Sequence, residues 1–215
     1  GTKPSCRILL KIKLIKRSSK NKIEQILEKN NWNVLDIGCG YSANKYAKVI
    51  CDTQDLKHYY KDKKFVQLKE KKLPFMDNEF DFIITSHVLE HVEDPIFFLN
   101  EIQRVSSKGG YIEVPTKLED NFVFENKHDH LWHLDFDDDE NKLMISKKIN
   151  YFEPVLTVSS IKMLHKYFRK SLVLELYWEN EINFSFDEKT TNNFEKISRL
   201  TLLRKFISKK IRSFF

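Results

Sequence analysis

The chain has 215 residues, of which 41% are hydrophobic and 32% are charged, and its formal net charge at pH 7 is +6. This length suits a single domain with one substantial core, and the composition excludes a largely disordered chain. No apolar run approaches the roughly 18 residues that a membrane span needs. The three cysteines have no paired spacing, so we expect a cytoplasmic protein with reduced thiols.

The charge is divided unevenly along the chain. Residues 3–22 carry eight bases and no acid, residues 196–212 carry seven bases and no acid, and the remainder carries 22 bases and 31 acids. The body of the protein is therefore acidic, with a net charge of −9, and its two ends are basic. An acidic body argues against nucleic acid as a partner, whereas basic ends predict attachment to an anionic membrane surface or to a protein.

In chain order, the basic leader is followed by a helix through Ile23, Ile26 and Leu27. Five short apolar segments then predict strands at 34–37, 49–51, 65–68, 80–85 and 111–114. A helix begins at Pro95 and stops at Gly109. Strands that alternate with helices predict a mostly parallel sheet with helices on both faces.

The second half of the chain departs from this alternation. Residues of about 128–149 alternate apolar and polar side chains around an acidic turn, which predicts a hairpin inserted after the fifth strand. Thr157 or Ser159 caps a further helix, and two strands joined tightly at Asn180 form an antiparallel pair that closes the sheet. We divide the chain into a basic leader with an N-terminal helix (1–31), a sheet domain (32–187) and a basic C-terminal tail (188–215).

The stretch VLDIGCG, Val34 to Gly40, ends a buried strand in a glycine turn. Glycines at the carboxyl end of a strand let backbone N–H groups approach a ligand, so the stretch predicts a cofactor site, with a plain structural turn as the alternative. The third glycine of the dinucleotide fingerprint is missing. Asp36 beside the turn would repel a phosphate but can pair with an ammonium or sulfonium group, which disfavours a pyrophosphate cofactor.

Together with LPFMDNEFDFIITSHVLEHVEDP, Leu73 to Pro95, this stretch resembles the class I S-adenosylmethionine-dependent methyltransferases, in the small-molecule branch of methyltransferase domain 11 type. The resemblance covers about residues 32–116 and implies a Rossmann-like fold and S-adenosylmethionine as the cofactor. The short link at 41–48, the Val114-Pro115 step and His130-Leu131-Trp132 are similar to a subgroup associated with sugar or surface-glycan modification. That likeness implies a small-molecule acceptor, such as a sugar or a lipid-linked precursor.

The resemblance also implies a set of cofactor-binding residues, namely Asp36, Gly38, Cys39, Gly40, Asp52, Glu70, Ser86 and His87. The glycine turn would hold the methionine part, with Asp36 at its amino group. Asp52 would accept hydrogen bonds from the two ribose hydroxyls, a role for which Asp55 competes. Where relatives carry an acid near the adenine amine, this chain has Lys69, so the neighbouring Glu70 is the candidate there.

Three histidines are candidates for a general base that takes a proton from the methyl acceptor: His130 first, then His87 and His91. Each has the alternative of a hydrogen-bonded structural role, since alignment of the two reactants can by itself remove much of the barrier. The neighbouring run from His128 to Asp135 has metal-ligand residue types. Strand alternation would turn His130 and His133 to opposite faces, so we expect no metal site.

Near the C-terminus, apolar residues recur at spacings of three and four with bases over the other face, at Phe194, Ile197, Leu200, Leu203, Ile207, Ile211 and Phe214. This predicts a basic amphipathic helix that lies on an anionic membrane, on a partner, or on its own core. We expect a cytoplasmic methyltransferase, peripheral at a membrane, that acts on a small molecule. An RNA or protein methyltransferase and a non-catalytic cofactor-binding protein of the same fold are the alternatives.

Overall fold

The computed structural model describes residues 13–188 and 197–212. Its elements, in chain order, are β1 (Leu14–Arg17), α1 (Lys20–Lys29), β2 (Val34–Ile37), β3 (Val49–Asp52), β4 (Lys64–Gln67), β5 (Phe80–Ser86), α2 (Pro95–Val105), β6 (Ser106–Pro115), α3 (Lys117–Phe122), α4 (Asn126–Asp129), β7 (Trp132–Asp137), β8 (Lys142–Lys147), α5 (Val158–Leu172), β9 (Val173–Glu179), β10 (Phe184–Asp187) and α6 (Arg199–Arg212).

Seven strands form one sheet in the order β1-β9-β6-β5-β2-β3-β4. The strands from β2 to β6 are mutually parallel, and β9 runs antiparallel to β6. The chain moves from β2 to β3 on one side and returns to β5 on the other, so the strand order reverses at β2. Open sheets of this kind bind ligands at that reversal, outside the carboxyl ends of the strands. The predicted Rossmann-like, mostly parallel sheet is confirmed.

The strands that close the sheet differ in one respect from the prediction. β10 does not pair with β9; it pairs in parallel with β8, with Phe184 opposite Leu143. The edge beside β9 is taken by β1, so the expected tight pairing across Asn180 is wrong. Apolar burial explains both outcomes, since Ile15 of β1 is 1% exposed and Phe186 of β10 packs its ring 5.1 Å from Trp132.

The basic leader is part of the fold from residue 14 onward. β1 hydrogen-bonds to β9, and α1 buries Ile23 and Leu27 against the sheet. Ser19 caps α1 by accepting a hydrogen bond from the backbone N–H of Lys22, which fixes the helix start. The expected domain boundary at residue 32 therefore does not separate two structural units. β1 is a strand of the main sheet, and α1 packs on one face of that sheet.

Two cores cover the two faces of the sheet. On one face α2 and the small sheet β10-β8-β7 pack together, with Leu99, Ile102 and Leu143 fully buried. On the other face α1 packs against Ile50 and Phe82. The antiparallel pair β7 and β8 confirms the predicted hairpin.

Gly109 and Gly110 lie inside β6, so the prediction that they stop α2 is wrong. α2 already ends at Val105. A Cβ on Gly109 would lie 2.0 Å from the carbonyl oxygen of Trp178, and one on Gly110 would lie 2.5 Å from that of Ile83. The two glycines let the neighbouring strands approach, which is a packing role within the sheet.

The amphipathic C-terminal helix exists as α6, and none of its residues is buried. Leu200 and Phe206 are 76% and 61% exposed. Ile197, just before the helix, forms a β-bridge with Phe152. α6 therefore leaves its apolar side chains uncovered instead of packing on the core; the predicted positions Phe194 and Phe214 lie outside the described residues. Among the helices of residues 13–188 and 197–212, none is both long and apolar enough to cross a membrane.

Candidate active site

A cavity of about 820 Å³ lies at the carboxyl ends of β2 and β3, beside the turn that follows β5. Small-molecule and cofactor sites occupy about 300–1,000 Å³. Its polar wall includes Gly38, Asp52, Glu70, His87 and His91. Its apolar lining includes Leu68, Leu73, Val88 and Phe98. The switch point of the sheet thus carries a cavity large enough for a nucleoside-containing ligand.

The glycine turn after β2 is held by β3. Gly38 has a φ of +68°, and a Cβ there would lie 2.3 Å from Cγ2 of Val88. Its N–H donates to the carbonyl of Cys51 (2.8 Å), and the N–H of Gly40 donates to Oδ2 of Asp52 (2.9 Å). These N–H groups do not face the cavity as free donors, contrary to the expectation from the sequence. The glycines instead allow a compact wall.

Asp52 ends β3 at the cavity wall and is 9% exposed. Its Oδ2 accepts from Gly40, and its Oδ1 accepts from the backbone N–H of Gln54 (3.0 Å). Oδ1 also accepts a long hydrogen bond from the hydroxyl of Thr53 (3.5 Å), which a ligand hydroxyl could replace, and Oδ2 can accept one more, so both oxygens remain able to bind hydroxyl groups. The competing Asp55 is exposed and accepts from Lys57. The arrangement favours Asp52 as the acceptor for a ribose.

Four of the predicted cofactor residues, Asp36, Cys39, Gly40 and Ser86, are not among those that line the cavity. Asp36 is 5% exposed, and its Oδ2 accepts from the backbone N–H of Asn44 (2.7 Å). Burial raises the pKa of Asp36 to about 6 and that of the Cys39 thiol to about 12. Cys39 packs in the core beneath α1, and Ser86 is half-buried at the end of β5. Asp36 therefore shapes the turn through Asn44 and has no place on the cavity wall.

His87 sits in a left-handed backbone conformation, with a φ of +55°. Its Nδ1 lies 3.2 Å from Oε1 of Glu90, and its Nε2 lies 3.5 Å from Oε1 of Glu113. Burial acts to lower the pKa of His87, but the hydrogen bonds to Glu113 and Glu90 outweigh it and raise the pKa to about 10. A protonated imidazole donates hydrogen bonds, so this geometry does not favour His87 as a general base.

His91 and His130 meet edge to face, with ring centroids 4.5 Å apart. His91 is exposed on the cavity wall, and its Nδ1 lies 3.0 Å from the carbonyl oxygen of Asp129. His130 is 8% exposed and lies behind the wall, with Nδ1 2.6 Å from Oδ1 of Asp120. The first candidate base is therefore one residue layer removed from the cavity.

Asp120 also brings His130 and His133 together. Nδ1 of His133 lies 2.9 Å from Oδ2 of Asp120. Strand alternation does not separate the two rings, because His130 precedes β7 and only His133 is within it. Burial acts to raise the pKa of Asp120, but its hydrogen bond with His130 and its close contact with His133 hold that pKa well below its usual range.

A buried network next to His87 was not predicted. The hydroxyl of Tyr111 lies 2.7 Å from Glu113 and 2.8 Å from Glu175, and Arg169 bonds to both carboxylates at 2.8 and 3.0 Å. The backbone carbonyl of Glu113 accepts from the N–H of His87 (2.8 Å). The signal available in the sequence was an acid inside each of two apolar strands, in YIEVP and VLELYW.

The chain resembles a methyltransferase family in sequence. Residues 35–114 match the family model described as a methyltransferase domain. An uncharacterized protein of Methanocaldococcus jannaschii is 30% identical over 164 residues, which cover 67% of this chain and 70% of that protein. An uncharacterized methyltransferase of Schizosaccharomyces pombe is 51% identical over 41 residues, 19% of this chain and 15% of the relative.

Solved structures are also similar to part of this chain. An S-adenosylmethionine-dependent methyltransferase of Aquifex aeolicus gives a TM-score of 0.40 at 16% identity, over 73% of this chain and 88% of that one. An S-adenosylmethionine-dependent methyltransferase of Thermotoga maritima gives a TM-score of 0.42 at 15% identity, over 70% of this chain and 83% of that one. TM-scores this low do not extend the likeness to the site.

Proposed function

This chain belongs to the class I S-adenosylmethionine-dependent methyltransferases, and from that premise we propose that it methylates a hydroxyl, amine or carbon of a small molecule, a sugar or a lipid-linked precursor. The observation that carries the proposal is the cavity of about 820 Å³ at the switch point, with Asp52 on its polar wall. The cofactor supplies a methyl group already activated on a sulfonium sulfur. The chain has to bind and align the reactants.

The residues present fit such a cofactor. Asp52 offers carboxylate oxygens for two ribose hydroxyls, and Glu70 offers an exposed acid on the same wall. Leu68, Leu73 and Phe98 supply apolar surface suited to a purine. Gly38 keeps the wall compact, because a side chain there would collide with Val88. Asp36, Cys39 and Ser86 act in this proposal by supporting the wall.

A proton taken from the acceptor would pass to His91, in this proposal, since His91 is exposed on the cavity wall. His87, also on the wall, would shape the wall through its contacts with Glu90 and Glu113, which occupy both of its ring nitrogens. His130 would act through His91, with which it is in ring contact. His130 is thus a positioning residue in this scheme, not the base.

The small-molecule class is favoured over RNA by charge. Outside the two basic ends the chain carries a net charge of −9, and an acidic surface repels a phosphate backbone. A concave site of this volume also suits a compact acceptor better than a folded protein surface. The basic ends of the chain favour a lipid-linked acceptor, because they would bind the anionic surface that holds it.

The C-terminal helix α6 would bring the acidic body to an anionic membrane surface. Its bases Arg204, Lys205, Lys209 and Lys210 accompany apolar side chains that no described residue buries. Bases near a charged bilayer contribute roughly 1 kcal/mol each, and apolar side chains add burial in the interface. The protein would thus act as a peripheral enzyme on a membrane-bound precursor.

Transfer of a labelled methyl group tests the proposal. The purified full chain is incubated with S-adenosylmethionine labelled in its methyl group and with separated small-molecule, lipid, RNA and protein fractions of a cell extract. Label is expected in the small-molecule or lipid fraction, and Asp52→Ala is expected to reduce it strongly. Label found only in RNA or protein would contradict the proposed small-molecule substrate. Cofactor binding without transfer of label to any fraction would favour a non-catalytic protein.

A further inference from the structure

The adjacent residues Glu90 and His91 meet His130, which comes from a distant part of the sequence, at the cavity wall. One potential ligand atom from each lies within 4.8 Å of the other two. Glu90 and His91 belong to the turn after β5, and His130 directly precedes β7. Glu90 and His130 are buried, whereas His91 is exposed to the cavity. The fold thus assembles two imidazoles and one carboxylate that no local sequence motif places together.

The carboxylate of Glu90 has an unused oxygen. Its side chain is 0% exposed, and Oε1 lies 3.2 Å from Nδ1 of His87. Oε2 has no hydrogen-bond partner within residues 13–188 and 197–212. A buried acceptor without a partner is destabilising, and more so when it is charged. A cation held between this carboxylate and the two imidazoles would remove that cost.

In each of the two imidazoles, an oxygen acceptor holds one ring nitrogen and so orients the ring. The other ring nitrogen is left for a ligand. Nδ1 of His91 lies 3.0 Å from the carbonyl oxygen of Asp129, and Nδ1 of His130 lies 2.6 Å from Oδ1 of Asp120. An oxygen acceptor at one nitrogen places the proton there, so the other nitrogen keeps its lone pair. Carboxylates and backbone carbonyls orient metal-binding histidines in this way.

Further contacts hold Asp120, which orients His130, and Glu90 itself. Asp120 is itself fixed by Nζ of Lys148, 3.0 Å from Oδ1. On the other side, Glu90 is held at Oε1 by His87. Each of the three converging groups is therefore held through an atom that a metal ion would not need. A site preorganised in this manner loses little conformational freedom when an ion binds.

We propose that Glu90, His91 and His130 bind one divalent transition-metal ion, with Zn²⁺ as the ion best suited to two imidazoles and a carboxylate. This donor set is the one that catalytic zinc sites use, and three protein ligands leave a coordination position open. Because His91 lines the cavity, the ion lies at the wall of the candidate active site. The site rests on the three side chains and their supports, not on methyl transfer. While the ion is bound, the lone pair of His91 is used by the metal, and His91 is not available to accept a proton.

The alternative is a hydrogen-bonded cluster that needs no ion. The two cases differ in what divalent ions do to the protein. The full chain, without an affinity tag and freed of metal by a chelator, is titrated with Co²⁺ while its visible absorption is recorded, and Zn²⁺ is then added in competition. Visible absorption bands should grow to one Co²⁺ per chain and disappear as Zn²⁺ replaces it.

Three variants identify the ligands. His91→Ala removes an exposed ligand and Glu90→Gln removes the anionic one, and both are expected to weaken Zn²⁺ binding by more than tenfold, since even outer-shell changes cost about 10–100-fold. His128→Ala is the matched control, because His128 is exposed on α4 and lies outside the cluster. It should bind as the unmodified chain does.

Absence of Co²⁺ bands in the unmodified chain would overturn the proposal. So would binding that survives both His91→Ala and Glu90→Gln, or binding that His128→Ala reduces equally. If Glu90→Gln does not fold by circular dichroism, His91→Ala decides alone, because an exposed side chain is replaced there with little effect on the core.

Discussion

The carboxylate of Asp52 accepts a hydrogen bond from the backbone N–H of Gly40, with Oδ2 and N 2.9 Å apart. This contact joins the end of β3 to the glycine turn after β2, so the acid proposed for the ribose also fixes the turn proposed for the methionine part. Without a helix in the short link between β2 and β3, such side-chain contacts set the shape of the cavity wall.

S-adenosylmethionine should raise the melting temperature of the protein, and NAD should not. A ligand that binds only the folded state stabilises it by mass action. Differential scanning fluorimetry with equal concentrations of each compound measures the shift. A shift with NAD and none with S-adenosylmethionine would reverse the cofactor assignment.

Asp52→Ala should weaken S-adenosylmethionine binding by about 1–3 kcal/mol, because ribose hydroxyls would lose a charged acceptor and the N–H of Gly40 its partner. Isothermal titration calorimetry gives the dissociation constants. Asp55→Ala is the matched control, since Asp55 is an exposed acid near the same strand end. Equal affinities for Asp52→Ala and the unmodified chain would move the ribose role elsewhere.

Gly38→Ala should lower the free energy of unfolding by about 2–4 kcal/mol, through a positive φ and a collision with Val88. Gly40→Ala should cost only about 1 kcal/mol, because Gly40 also has a positive φ but a Cβ there meets no atom within 4 Å. Urea denaturation of the two variants compares them. Equal losses would show that packing against Val88 contributes nothing.

Asp36 should make the protein less stable as pH rises from about 4 to 6. Its pKa in the folded state is about 6 against 3.8 for the ordinary carboxyl, so the folded state binds the proton more tightly and gains stability below pH 6. The difference corresponds to about 3 kcal/mol. In Asp36→Asn, denaturation between pH 4 and 7 should lack this dependence.

Asp62→Asn, which removes an exposed acid, serves as the control for the pH series. It should retain the slope of the unmodified chain. The same slope in Asp36→Asn would mean that another group titrates there.

The full chain should sediment with anionic vesicles at low salt, and a chain ending at Thr190 should sediment less. Charge attraction fades within a Debye length, about 10 Å at 0.1 M salt, so added salt should release much of the bound protein. Neutral vesicles provide the control. If neither protein sediments with anionic vesicles, α6 is better explained as a surface for a protein partner.

The sequence by itself determined the strands from β2 to β6 and the hairpin of β7 and β8, because apolar periodicity and turn residues act over a few neighbouring residues. It also determined the glycine turn and placed Asp52 at a strand end. Recognition of VLDIGCG and SHVLEH then supplied the cofactor. These features are local, and the structure keeps them.

Tertiary structure decided what local pattern could not. β1 rather than β10 completes the sheet edge, since long-range burial of Ile15 and Phe186 determines which strands pair. Asp36 and Cys39 lie behind the cavity wall instead of on it. The reason is tertiary: Cys39 packs with residues of α1, and Asp36 bonds to the backbone of Asn44. His130 meets His91 only once the segment that leads into β7 packs beside the turn after β5. Contacts between distant segments leave no periodic pattern in the sequence. The sequence therefore identified which side chains are candidates for the site, and the tertiary structure determined which of them are in contact.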